Sequence, residues 1–145
     1  MALQHAPGSL PGADELLAAC PADSIGAGIA RFNAGWVSPL TSITSRRAYE
    51  RSLVLLVKDL AGRDVSGQLT DPLATMTHET LTQHLAWRVG NGLRDPAELQ
   101  RSAAHMTRLA TWLDTHADTT IGLERGDLRA RVSQLVAGSV EQEPA

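Results

Sequence analysis

Residues 41–62 read TSITSRRAYERSLVLLVKDLAG, and the spacing of their apolar side chains decides the fold class. Tyr49, Leu53, Leu56 and Leu60 recur at intervals of three and four, with Ala48, Ser52 and Val57 beside them. That is the signature of one amphipathic helix with a single buried stripe. Ser42, Thr44 or Ser45 can cap its start, and Gly62 is placed to end it in a left-handed conformation.

The same periodicity extends to both sides. Downstream, the turn residues of RDVSGQLTDP separate this helix from a second over THETLTQHLAWRVGNG, whose apolar line is Leu81, Leu85 and Val89 and whose stop is Gly90 with Gly92. Asp95-Pro96-Ala97-Glu98 then marks a helix start. Asp caps, Pro sits in the first turn where its missing N–H costs nothing, and Glu98 can reach back to the cap. The longest helix follows, with Leu99, Ala103, Met106, Leu109 or Ala110, and Leu113 inward. A last helix over GDLRARVSQLVAG, capped by Asp127 and ended by Gly138, turns Leu128, Val132, Leu135 and Val136 to the core.

Upstream the signals are weaker. The opening MALQHAPGSLPG, rich in Pro, Gly and small groups, reads as a mobile arm. Short helices follow over ADELLAAC and SIGAGIARFNAGW, the second weakened by Gly26 and Gly28, and WVSPLTS reads as a linker. The resulting division is an arm with short helices and linker over residues 1–40, a helical domain over 41–138 and a disordered tail over 139–145.

Composition agrees with an all-α fold. Aromatic residues make up only 3% of the 145, so Leu, Val, Ala and Met must fill the interior, which suits helices packed through aliphatic ridges. The formal charge of −3 is unevenly spread: residues 41–113 hold nine Arg or Lys against seven acids, while both flanks are acidic. The lone Cys20 has no Cys or His partner at ligand spacing and reads as packing filler. No apolar run approaches the length of a membrane span, and the N-terminus carries no cationic region followed by an apolar block. A cytoplasmic protein without membrane attachment is the expectation.

The order of these segments resembles the core-binding domain of tyrosine recombinases, the phage integrase family. Thr44, Tyr49, Leu53, Leu56 and Leu60 are similar to that domain's opening helix. Thr77, Leu81 and Leu85 match its next segment, and Leu99, Ala103, Met106, Leu109, Trp112 and Leu113 match its long helix. The similarity covers about residues 41–116. It implies an orthogonal, SAM-like bundle of four to five helices that straddles one side of a DNA duplex, the partner being double-stranded DNA. In complete family members a second, catalytic domain closes the other side.

Catalysis is not expected of this chain. The family's chemistry needs a Tyr nucleophile with two Arg and His or Lys groups to hold the transferring phosphoryl. Tyr49 is the only Tyr, and its match is to the core-binding motif. His105-Met106-Thr107-Arg108 fits a His-x-x-Arg box, yet no Tyr follows it and Met106 is wanted by the core. The five His residues include no His-Glu-x-x-His pair, and Gly26-Ala27-Gly28 is too short for a dinucleotide loop, so neither metal nor cofactor is expected.

Two basic clusters are the candidate DNA contacts. Ser45, Arg46 and Arg47 open the first long helix with Arg51 one turn on, and the family presents this helix start to DNA. On the longest helix Arg101, His105 and Arg108 stand at i, i+4 and i+7, opposite the Leu99 line, and Arg94 leads into it. Gln100 and Arg101 are the candidates for base edges. The competing reading is a helical protein-interaction domain, in which Trp36, Trp87 or Trp112 docks a partner protein, a recombinase-type protein among them, or a second copy of the chain.

Overall fold

A computed structural model describes residues 9–63, 68–93, 95–117, 119–124 and 126–142, with no side-chain description for residues 138–142. Among the described residues six α-helices carry most of the structure: α1 (Asp14–Ala18), α2 (Ile25–Phe32), α3 (Ile43–Ala61), α4 (His78–Gly90), α5 (Pro96–His116) and α6 (Asp127–Gln142). A π-helical turn, Asn33–Val37, continues α2, and a 3₁₀ turn, Leu73–Thr75, precedes α4. The one β-type pairing among the described residues is an isolated bridge between Ser24 and Pro72. The fold is therefore all-α. No helix of the described residues is long and apolar enough to cross a membrane.

The chain divides into two compact units, Met1–Met76 and Thr77–Ala145. Residues 9–40 are an integral part of the first unit. Ile25, Ile29 and Phe32 fall at i, i+4 and i+7 on α2, and all three are fully buried together with Leu10 and Val37. α2 packs on the π-helical turn and on the 3₁₀ turn, and α3 packs on α1 and on the π-helical turn. The two glycines that weaken α2 as an isolated helix have a packing role at Gly26. A Cβ there would stand 2.5 Å from Cys20 Sγ and 3.1 Å from Leu69 Cγ. Cys20 is thus set against α2, in agreement with its reading as filler. Of the arm expected over MALQHAPGSLPG, residues 1–8 lie outside the described residues.

Within α3 the expected stripe is present: Leu53, Leu56, Val57 and Leu60 are fully buried and Ser52 nearly so. Ser42 caps the helix, its Oγ accepting from the Ser45 N–H at 3.2 Å. Gly62 ends it with φ −90° rather than in the left-handed region, because the closing bonds run from its N–H to Asp59 and Leu60 without a reversal of hand. Asp59, buried on the inner face, is held by a bidentate pair with Arg63 at 2.9 and 3.1 Å.

The second unit is built from α4, α5 and α6, each packed on the other two. A Thr77–Thr80 capping box opens α4, and Asn91-Gly92, with Gly92 at φ 103°, closes it. Asp95 caps α5 through the Ala97 N–H at 3.0 Å, with Pro96 in the first turn. Leu99, Ala103, Met106, Leu109, Ala110 and Leu113 are buried as their spacing predicts. α6 corrects the sequence reading at its end, for it runs through Gly138 to Gln142. One glycine in a helix interior costs only about 1 kcal/mol and does not by itself terminate it.

Candidate nucleic-acid interface

On α3, Arg47 and Arg51 are exposed, one helical turn apart, on the side away from the buried leucines. Ser45 is exposed as well, with its backbone N–H engaged by the Ser42 cap. Arg46 differs from its neighbours: it is half-buried, and its guanidinium donates back to the Leu40 carbonyl at 3.4 Å. That bond ties the α2–α3 connection to the first turn of α3.

On α5, Arg101 and Arg108 are exposed and Gln100 is half-buried. His105 does not share their surface, and its assignment to an exposed basic face is corrected: only 6% of it is accessible. The reason is the width of the buried arc. Ser102, His105 and Leu109 form the flank of that arc next to the Leu99 line, so a residue at i+4 from an exposed Arg101 turns inward. Burial, with a smaller contribution from the nearby Arg101 charge, lowers the His105 pKa from 6.5 to about 4, so the ring is neutral near pH 7. Arg94 lies outside the described residues. The His105-x-x-Arg108 pair is thereby split between interior and surface. Tyr49 is half-buried in an aromatic cluster, 4.9 Å from the Trp36 ring and 6.4 Å from Phe32.

The α3 cluster belongs to the first unit and the α5 cluster to the second. The tryptophans are packed rather than displayed. Trp36 stacks on Phe32 at 5.5 Å, Trp87 on His84 at 5.7 Å and Trp112 on His116 at 4.6 Å, and all three are half-buried. Among the described residues no three His, Cys, Asp or Glu side chains gather where a metal ion could be held.

One cation has a role not anticipated from sequence. Arg88 is 7% exposed and donates to Ser102 Oγ at 3.1 Å and to Glu98 at 3.4 Å, joining α4 to α5. The signal was available in the spacing: Arg88 stands at i+7 from Leu81 and i+3 from Leu85, on the buried line, whereas Val89 is half-buried. No protein-family model, curated protein or solved structure matches this chain.

Proposed function

We propose that this protein is a non-catalytic DNA-binding module with the SAM-like bundle of a tyrosine recombinase core-binding domain. It engages duplex phosphates through Arg47 and Arg51 on α3 and through Arg101 and Arg108 on α5. The observation that carries this reading is the exposure of each arginine pair on the outer side of a helix whose inner side is fully committed to the core. Long, planar, permanently charged side chains at one-turn or two-turn spacing suit repeated phosphate contacts, and such contacts need no cavity. The resemblance over residues 41–116 supplies the choice of DNA as the polyanion.

The test is a fluorescence-anisotropy titration of a random-sequence duplex at low and high salt, repeated with Arg47→Ala and Arg101→Ala. Each phosphate contact contributes a slope of about −0.9 in log K against log salt, and each substitution should reduce the slope by about that amount. Absence of binding at low salt overturns the reading. Binding unchanged by either substitution overturns the assignment of these surfaces.

A further inference from the structure

The exposed side of α3 carries more than its N-terminal arginines. At 100° per residue, Arg47, Arg51 and Lys58 fall within about 40° of one another around the helix axis. All three are exposed; exposed Thr44 and half-buried Val54 flank their arc by about 20° on either side, and a Cβ at Gly12 would stand 3.9 Å from Val54 Cγ1. The remaining charged residues of the helix stand elsewhere: Arg46 is half-buried and reaches Leu40, Asp59 is buried against Arg63, and Glu50 is half-buried, about 60° to the side of Arg47. The fully exposed charges of α3 are therefore all positive. The neighbouring α1 packs on α3 and brings Asp14 and Glu15. The Asp14 carboxylate is occupied by the Ser9 hydroxyl and the Leu10 N–H, both at 2.7 Å.

Along the axis the stripe is long. With a rise of 1.5 Å per residue, Arg51 lies about 6 Å and Lys58 about 16 Å beyond Arg47. Measured along the backbone itself, that span reaches about three successive phosphates of one DNA strand. An encounter with the helix start alone would use Arg47 and Arg51 and leave Lys58 idle. A strand lying along the helix would meet all three cations in turn.

We infer that the DNA backbone tracks lengthwise along α3, with Lys58 as a third phosphate contact some four turns into the first unit's longest helix. This rests on the DNA reading above and goes beyond it in the direction of the bound strand and in the residue it adds. A rigid helix holds its cations at fixed spacing, so it favours a polyanion whose charges are equally regular over a flexible acidic chain that must be ordered on binding.

The decisive experiment is the same salt-dependent anisotropy titration on the full chain, with Lys58→Ala, Lys58→Glu, Arg47→Ala and Arg51→Ala, and with Arg31→Ala as an exposed-cation control on α2. Lys58→Ala is expected to reduce the slope of log K against log salt by about 0.9, as each arginine substitution does. Lys58→Glu should weaken binding further, and Arg31→Ala should leave the slope unchanged. If the arginine variants each lose a contact while both Lys58 variants bind like the parent, the lengthwise track is overturned and the DNA reading survives. If the parent fails to bind duplex at low salt, both fall together. Poly-glutamate of matched total charge is the competitor: it should displace the duplex only in large excess. Displacement at equal charge concentration overturns the inference in favour of an acidic protein segment as the occupant of the stripe.

Discussion

His105 shows how one turn of helix register changes the chemistry of a side chain. Placed four residues after the exposed Arg101, it is nevertheless buried, and its folded pKa of about 4 lies below the ordinary 6.5. A histidine that resists protonation when folded contributes stability that is fully present above about pH 6.5 and drains away as pH falls toward 4. The loss is about 1.4 kcal/mol per pH unit at most, or roughly 3 kcal/mol over the window. Urea unfolding at pH 7.5 and pH 4.5 should show this loss, and His105→Gln should flatten it; equal pH dependence in both proteins would exclude His105 as the source. Arg88 presents the opposite case, a buried cation whose guanidinium donates to Ser102 and Glu98. Arg88→Ala is expected to cost about 2–4 kcal/mol, since it removes the cation and its stem together, and Arg88→Met, which keeps the stem, about half of that. Denaturant midpoints that are equal for the two variants would show that charge pairing, not packing, dominates. Asn33 is fully buried, and its amide oxygen and nitrogen are both without hydrogen-bond partners. Asn33→Leu, with the same branching but bulkier ends, should raise stability by up to about 1–3 kcal/mol by removing the desolvation cost, and a drop in the thermal midpoint would show that overpacking outweighs it.

At the scale of elements, the connection between α5 and α6 is organised by Asp114 near the end of α5. Its carboxylate accepts from the Thr119 hydroxyl and from the backbone N–H groups of Ile121 and Gly122, the latter two at 2.9 Å. Burial pushes the carboxyl pKa up, yet the bonds from Thr119, Gly122 and Ile121 together outweigh it and hold the group below its ordinary 3.8. The stabilisation is therefore present above the usual carboxylate range and is lost as pH falls from there through the lowered pKa. Asp114→Ala should cost about 1–3 kcal/mol and accelerate hydrogen exchange at the Ile121 and Gly122 amides. Unchanged exchange there would mean that the connection is held by Ile121 and Leu123 burial instead. The elements themselves were largely legible in sequence. The buried lines of α3 and α5, the Asp95 cap and the Gly92 stop follow from local rules, whereas Gly90, read as part of that stop, is the last residue of α4, and the choice of Ser42 among three candidate caps came from the structure. The extent of α2 and the first unit's use of residues 9–40 did not, because Gly26 and Gly28 lower helix propensity while the packing that compensates comes from Cys20, Leu69 and the π-helical turn.

Over the whole molecule, charge is a matter of surface rather than of segment. The positive run at residues 41–113 is cut by the division at Met76 and Thr77. Each unit has more acids than cations, seven against six in the first and nine against seven in the second. A basic surface exists only because helical geometry gathers Arg47, Arg51 and Lys58 on one side while Asp59 is turned inward. At pH 7.5, above its pI of about 5.9, the chain should therefore be retained by an anion exchanger and still bind duplex DNA with a negative salt slope. Retention without DNA binding would mean that the net charge governs and the local stripes do not.

Periodicity alone determined that this chain is helical and which aliphatic side chains α3 and α5 bury, because those outcomes depend on neighbours three and four residues away. Only tertiary structure decided that the chain forms two units and that His105 lies inside while Arg101 and Arg108 lie outside. The width of a buried arc is set by how many partners a helix packs against, and those partners come from residues distant in sequence.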